Sequence, residues 1–161
     1  MPPLEHSLTE LGPEQVVVKK VYNNNVLLGV DRSGTEMVVN ARGIGFVRHR
    51  GEVVDASSAQ RYLAEGTYRT AAIASLLSNA THTQVRVAQA IVELAQEELG
   101  IPNAQRMMLP VLDHLVAAVH RAEQGSVIDF PLTWEVQQLY PDEARLGHRA
   151  VEIVDGALGI H

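Results

Sequence analysis

The chain has 161 residues, enough for one domain of ordinary size or two small ones. Apolar residues make up 46% and aromatics only 4%, so any core is built mostly from Val, Leu, Ile and Ala. With no cysteine, disulfides, thiolate metal sites and cysteine nucleophiles are excluded. The net charge of −6 is unevenly spread: Val16 to Arg50 carries Lys19, Lys20, Arg32, Arg42, Arg48 and Arg50 against Asp31 and Glu36, a surplus of +4 that leaves −10 elsewhere. A basic segment inside an acidic chain fits one part meeting a polyanion, or simply local fluctuation in charge. No apolar run approaches the ~20 residues of a bilayer span. The N-terminal MPPLEHSLTELGPEQ lacks the basic and apolar regions of a signal peptide, so a cytoplasmic location is expected.

Residues 1–15 read as a flexible leader broken by Pro2, Pro3, Gly12 and Pro13. From Val16 the pattern is β. The strand VVVKKVY runs into the turn Asn23-Asn24-Asn25, and Val26–Val30 follows. Asp31-Arg32-Ser33-Gly34 is a turn, Glu36–Val39 a third strand, and Glu52-Val53-Val54 a fourth. Between the last two lie Arg42-Gly43-Ile44-Gly45-Phe46, a bend or close backbone approach, and the basic turn Arg48-His49-Arg50-Gly51. So short a meander predicts dimerisation through a sheet face, because its own core is small.

From Ser57 the period turns helical, with short helices expected over Ser57–Ala64 and Arg69–Leu77. Thr81 and Gln84 fit a capping box opening a helix striped by Ala88, Ile91, Val92, Ala95 and Leu99, stopped by Gly100 and Pro102. Asn103 is placed to cap the next helix, striped by Leu112, Leu115, Val116 and Val119, ended by Gly125, and kinked or delayed by Pro110. Leu132–Leu139 is a short helix before Pro141. Leu146, Ala150, Ile153, Val154 and Ala157 stripe a last one ending at Gly159. The expected fold is α+β: a small antiparallel four-stranded sheet over 16–56, a helical connection over 57–80, and an α-helical bundle over 81–161.

Two places carry chemistry. Lys20, Asn23, Asn25, Arg42, Gly43 and Phe46, with Lys19, Arg48 and Arg50 nearby, combine amides for base edges, cations for phosphates, a ring for stacking and a glycine for close approach. That mix suits an irregular RNA element better than a uniform duplex, whose deep groove side chains cannot read. The same residues also make ordinary turns, with Phe46 in the core and the cations solvated. The second place is Asp113-His114: His114 lies about 200° around the helical wheel from Leu112, away from the apolar stripe. Such an imidazole beside a carboxylate is a phosphoryl acceptor, a proton shuttle or a surface residue. His114 and His120 are six apart, which does not place them on one face as metal ligands, and His148 has only Glu152 at helical spacing. No metal, cofactor or enzyme motif is recognisable, and no enzyme is expected.

The string KKVYNNNVLLGVDRSGTEMVVNARGIGF resembles the co-antiterminator RNA-binding domain of bacterial antiterminators of sugar-utilisation operons. VELAQEELGI, LDHLVAAVHRAEQG and FPLTWEVQQLYPDEARLGHRAVEIVDGALGI resemble the phosphotransferase-system regulation domain of the same proteins, in the same order. The resemblance covers residues 16–160. It implies a homodimer that binds a partly mismatched RNA hairpin and blocks an overlapping terminator, with RNA contacts at Lys20, Asn23, Asn25, Arg42, Gly43 and Phe46. It also implies phosphorylation of His114 by the histidine-containing phosphocarrier protein or sugar permease components of the phosphotransferase system. The family often has Gly where this chain has Ala41, and usually carries two regulation domains. The single one here reads as incomplete, ending before the segment of its second regulatory histidine. A non-RNA-binding protein–protein regulatory module of the same system is the alternative, and a small enzyme built on His114 a third.

Overall fold

The computed structural model describes residues 8–64, 69–126 and 131–160. It falls into two compact units, Met1–Asn79 and Ala80–His161. Residues 1–7 of the expected leader lie outside the described residues. The described remainder opens with a 3-10 turn, Leu8–Glu10, followed by the buried Leu11.

The first unit is an antiparallel sheet of strands β1 (Gln15–Asn23), β2 (Val26–Val30), β3 (Glu36–Asn40), β4 (Val53–Asp55) and β5 (Gln60–Leu63), in the order β4-β1-β2-β3-β5. The sheet therefore has five strands, not four. The fifth corrects the expectation of a helix over Ser57–Ala64. Gln60–Leu63 pairs with β3, Val38 facing Tyr62 and Asn40 facing Gln60. The four-residue alternation Gln-Arg-Tyr-Leu, half-buried at Gln60 and Tyr62, has period 2, and β3 offers it an otherwise open edge. Burial pushes the Tyr62 phenol up to about 12, and its hydroxyl donates to Gln60 Oε1 at 2.7 Å.

Alternation sends Val16, Val18, Leu27, Met37, Val39, Val54 and Ala56 into one core cluster, against which Val21, Ile44 and Ala59 also pack. Val17, Val26, Leu28, Val30 and Val38 are buried too, so β2 is buried along its whole length, as a strand covered on both faces must be. Helix α1 (Thr70–Asn79) packs on β1, β2 and β3 and contributes the buried Ile73, Ala74 and Leu77. The unit thus buries its core within a single copy, which the size argument for dimerisation did not foresee.

The second unit contains α2 (His82–Leu99), α3 (Met108–Glu123), α4 (Thr133–Leu139) and α5 (Pro141–Leu158). The Thr81 capping box forms as expected: Thr81 Oγ1 accepts from the Gln84 N–H at 3.2 Å, and Gln84 Oε1 accepts from the Thr81 N–H at 2.7 Å. Gly100 closes α2 in the left-handed region, at φ 60°. Asn103 does not cap by its side chain. It adopts φ 56° and leads into a 3-10 turn, Ala104–Met107. Pro110 sits in the first turn of α3, where its missing N–H removes no helical bond, so it delays the helix rather than kinking it. Pro141 opens α5 in the same way. Helices α3 and α5 both pack against α2, joined there by an Arg149–Glu98 ion pair. The apolar stripe of α5 is only half-buried, and Ala157 is exposed.

Candidate RNA interface and regulatory histidine

The candidate RNA-binding residues collect around two interlocked turns. The first is the β1–β2 hairpin, in which Asn23 faces Val26 across a two-residue connection. Two-residue hairpins normally use left-handed central residues to match strand twist. Asn24 and Asn25 do not have positive φ, and β1 shifts register between Val21 and Asn23. The Asn23 side chain holds this tighter geometry, its Oδ1 accepting from the Asn25 N–H at 2.8 Å and the Val26 N–H at 2.9 Å. Its Nδ2 donates to the Ser78 carbonyl in α1 at 3.4 Å. Asn23 is thereby a half-buried framework residue, with its side-chain oxygen already engaged.

The second turn is residues 41–48. Three i to i+3 bonds run along it: Ile44 N–H to Ala41 O, Phe46 N–H to Gly43 O and Arg48 N–H to Gly45 O. It is fastened to the hairpin by Ala41 N–H to Asn25 O (3.0 Å), Gly45 N–H to Asn24 O (2.9 Å) and Gly43 N–H to Asn25 Oδ1 (2.8 Å). Gly45 makes this possible, because a Cβ there would lie 2.2 Å from the Asn23 carbonyl oxygen. Gly43 is required for a different reason, its φ of 74°, and its outer side is open, with nothing within 4 Å of an added Cβ.

Around this frame Arg42, Arg48, His49 and Arg50 are exposed, and so is Lys20, whose Nζ sits 4.7 Å from the centroid of the Tyr22 ring. Among the described residues Arg42 and Arg50 make no ion pair. Arg48 lies 3.6 Å from Glu52, and Lys19 pairs with Glu36 on the neighbouring β3. Phe46 is 63% exposed, which removes the reading of Phe46 as a core residue. Asn25 joins the two turns through its Oδ1 and retains its amide N–H groups as donors, while Asn23 has little left to offer a ligand. The sequence pattern missed this division of labour. It also missed Val47, whose φ of 56° no turn signal predicted.

In the helical unit, Leu112, Leu115 and Val119 are buried and Val116 half-buried, while Asp113 and His114 are exposed, as the helical wheel expects. Among the described residues no hydrogen bond joins Asp113 to the His114 ring, so a carboxylate-oriented imidazole is not formed here. His148 and His120 make local contacts. The His148 Nδ1 meets the Ala144 carbonyl at 2.7 Å, and His120 approaches Gln124. No group of metal-ligating side chains assembles among the described residues. No helix among them is long and apolar enough to cross a membrane.

Family comparison agrees with this two-part plan. The CAT RNA binding domain matches residues 16–63 and the PRD domain residues 89–161. The beta-glucoside operon antiterminator of Dickeya chrysanthemi is 32% identical over 144 residues, covering 89% of this chain and 51% of that protein. Transcription antiterminator LicT of Bacillus subtilis (strain 168) is 28% identical over 144 residues, covering 89% and 52%. The chain therefore spans about half the length of the curated relatives it matches. A crystal structure of GlcT CAT-PRDI shares the fold, with a TM-score of 0.67 at 22% identity over 91% of this chain and 88% of that one. The chain is thus a CAT RNA-binding domain followed by a PRD domain, homologous to these antiterminators.

Proposed function

We propose that the chain is a transcriptional antiterminator that binds a partly mismatched RNA hairpin in the leader of a sugar-utilisation operon as a homodimer and prevents the overlapping terminator from forming. Residues 16–63 carry the RNA-binding module, α1 packs on its sheet within the same unit, and 81–161 form the regulation module. The observation that carries this reading is the pair of locked turns. They present the exposed Arg42, Phe46 and Asn25 on one rigid platform, open at Gly43, inside the positively charged segment of an acidic chain. Lys20, Lys19, Arg48 and Arg50 add charge for the phosphates. A gel shift with the leader hairpin of the chain's own operon tests it. Binding that weakens steeply with salt and exceeds that of a fully paired stem is expected. Absence of binding at low salt would leave the protein–protein regulatory module as the better account.

Regulation is proposed at His114, phosphorylated by the histidine-containing phosphocarrier protein or by sugar permease components. Its exposure on α3, opposite the buried Leu112, Leu115 and Val119, supports access by a donor protein. Incubating wild type and His114→Ala with the phosphocarrier system and a radiolabelled donor should give acid-labile label on the wild type alone. Equal label on both proteins would remove His114 from this role.

A further inference from the structure

The two faces of the sheet are closed in different ways. On one, Ile44, Val54, Ala56 and Ala59 fold back on the core cluster, all within the matched residues 16–63. The other face carries Val17, Val26, Leu28, Val30 and Val38, all buried, with Val17 opposite Val30 and Leu28 opposite Val38 in the ladders. Ile73, Ala74 and Leu77 of α1 are buried but stand outside that cluster, so they lie on this second face. Its cover therefore comes from a helix beyond the matched RNA-binding domain. Without α1 a row of aliphatic side chains would face water, a patch that soluble monomers seldom leave open. The helix is also weakly held. It has ten residues, fewer than an isolated helix needs to hold itself together. Among the described residues its Ser78 hydroxyl is buried without a hydrogen-bond partner, which costs stability in the docked position. It leads through Ala80 to Thr81, the cap of α2, so it is the piece of the first unit to which the regulation module is tied.

We propose that α1 is an intramolecular cover over the self-association face of the sheet, and that a second copy of the chain takes its place when α1 lifts away. This rests on the homodimer reading above and assigns that reading its face and its switch. A second copy is favoured as the occupant because it brings the same row of Val17, Leu28, Val30 and Val38, which is uncharged and meets itself about a two-fold axis. Helix and second copy exclude one another. Each protomer must open before the pair forms, so any change in the docking of α1 enters the dimer constant twice.

The test measures sedimentation equilibrium of wild type, Ser75→Pro and Ser75→Ala over a wide concentration range. Ser75 is exposed in the middle of α1, so neither substitution touches the sheet. Proline breaks the helix, and self-association should tighten at least about 10-fold and stop at two copies. Alanine favours the helix by about 2-fold per copy, and self-association should weaken about 4-fold. Amide exchange checks the fold: Val18 and Gly51, bonded across β1 at 2.8 Å, should stay protected in both variants while the α1 amides of Ser75→Pro exchange freely. Should Ser75→Pro lose the sheet, the direction of the Ser75→Ala shift decides. Wild-type constants in both folded variants would overturn the cover while leaving the homodimer reading intact. Weaker pairing of Ser75→Pro with its sheet intact, or tighter pairing of Ser75→Ala, would make α1 part of the interface and overturn it too. Association of Ser75→Pro that continues past two copies would show an indiscriminate apolar surface, with the same consequence. Wild type and both variants all monomeric at the highest concentration would remove the homodimer reading, and the cover with it.

Discussion

Replacing Gly45 by alanine should separate the two locked turns, and the structure sets the scale of the damage. The added Cβ would stand 2.2 Å from the Asn23 carbonyl oxygen and 3.1 Å from Val21 Cγ1. The oxygen belongs to backbone within the β1–β2 hairpin, so no rotamer change relieves the contact. The turns must part by about 1 Å to restore ordinary contact distance. A shift of that size carries the 2.9 Å bond from Gly45 N–H to Asn24 O beyond hydrogen-bond range. It also threatens the bonds from Ala41 to Asn25 O and from Gly43 to Asn25 Oδ1. Three bonds at about 0.5–1.5 kcal/mol each come to roughly 1.5–4.5 kcal/mol. Alanine returns about 0.4–1 kcal/mol by restricting the unfolded chain. A net loss of about 0.5–4 kcal/mol remains, which for a unit this small lowers the melting temperature by at least about 2 °C. Calorimetry of wild type and variant measures the shift, and amide exchange at Gly43 and Ala41 reports whether the turns have parted. An unchanged melting temperature with equal protection at both amides would refute the account of Gly45 as the close-packing point.

Other expected outcomes follow from the same geometry. Arg42→Ala should leave the melting temperature unchanged, weaken hairpin binding and reduce the slope of log K against log salt by about 0.7–0.9, measured by filter binding from low to moderate salt. Asn25→Ala should leave that slope alone and cost about 1–3 kcal/mol of binding, together with a drop in melting temperature, because its Oδ1 also holds Gly43. Gly147→Ala, inside α5 with nothing within 4 Å of an added Cβ, should raise stability by about 0.5–1 kcal/mol in urea titrations. Asp31 is held below its ordinary value of 3.8, first by the Ser33 hydroxyl and also by the Thr35 and Ser33 N–H groups. The folded state favours the ionised form, so its contribution is complete above 3.8 and is lost as pH falls through the lower folded value. Asp31→Asn should therefore be less stable than wild type at neutral pH and lose less on acidification below about pH 4, read from urea midpoints.

Much of this fold is legible in the residues because local chemistry and tertiary structure agree there. The capping box at Thr81, the glycine stop at Gly100 and the stripe of α3 follow from short-range rules that packing had no reason to override. Where they diverge, a long-range partner decides. Ser57–Ala64 looks helical in isolation, yet the unpaired edge of β3 recruits Gln60–Leu63 as a strand. A four-residue segment carries too little pattern to announce that pairing. The core also draws on α1, whose buried Ile73, Ala74 and Leu77 cover the sheet as a bare four-stranded meander could not.

The candidate site divides along the same line. That residues 20–25 and 42–46 belong together is visible in their composition, because amides, cations, a ring and glycines are the vocabulary of RNA contact. Which of them face a ligand and which hold the platform is set by hydrogen bonds between turns about 20 residues apart, and no periodicity encodes those. Asn23 and Asn25 are the same residue type two positions apart in one motif. Yet Asn23 spends its oxygen on two N–H groups of its own turn, whereas Asn25 bridges to Gly43 and keeps its amide donors. Under the RNA-binding reading proposed above, both asparagines are expected to matter for binding, but for different reasons. Losing Asn23 dismantles the platform, and losing Asn25 removes a donor from its surface while loosening the turn that carries Arg42 and Phe46. A scan that records affinity alone would score the two alike. Paired with melting temperatures, it separates a residue that builds the candidate RNA face from one proposed also to contact the RNA.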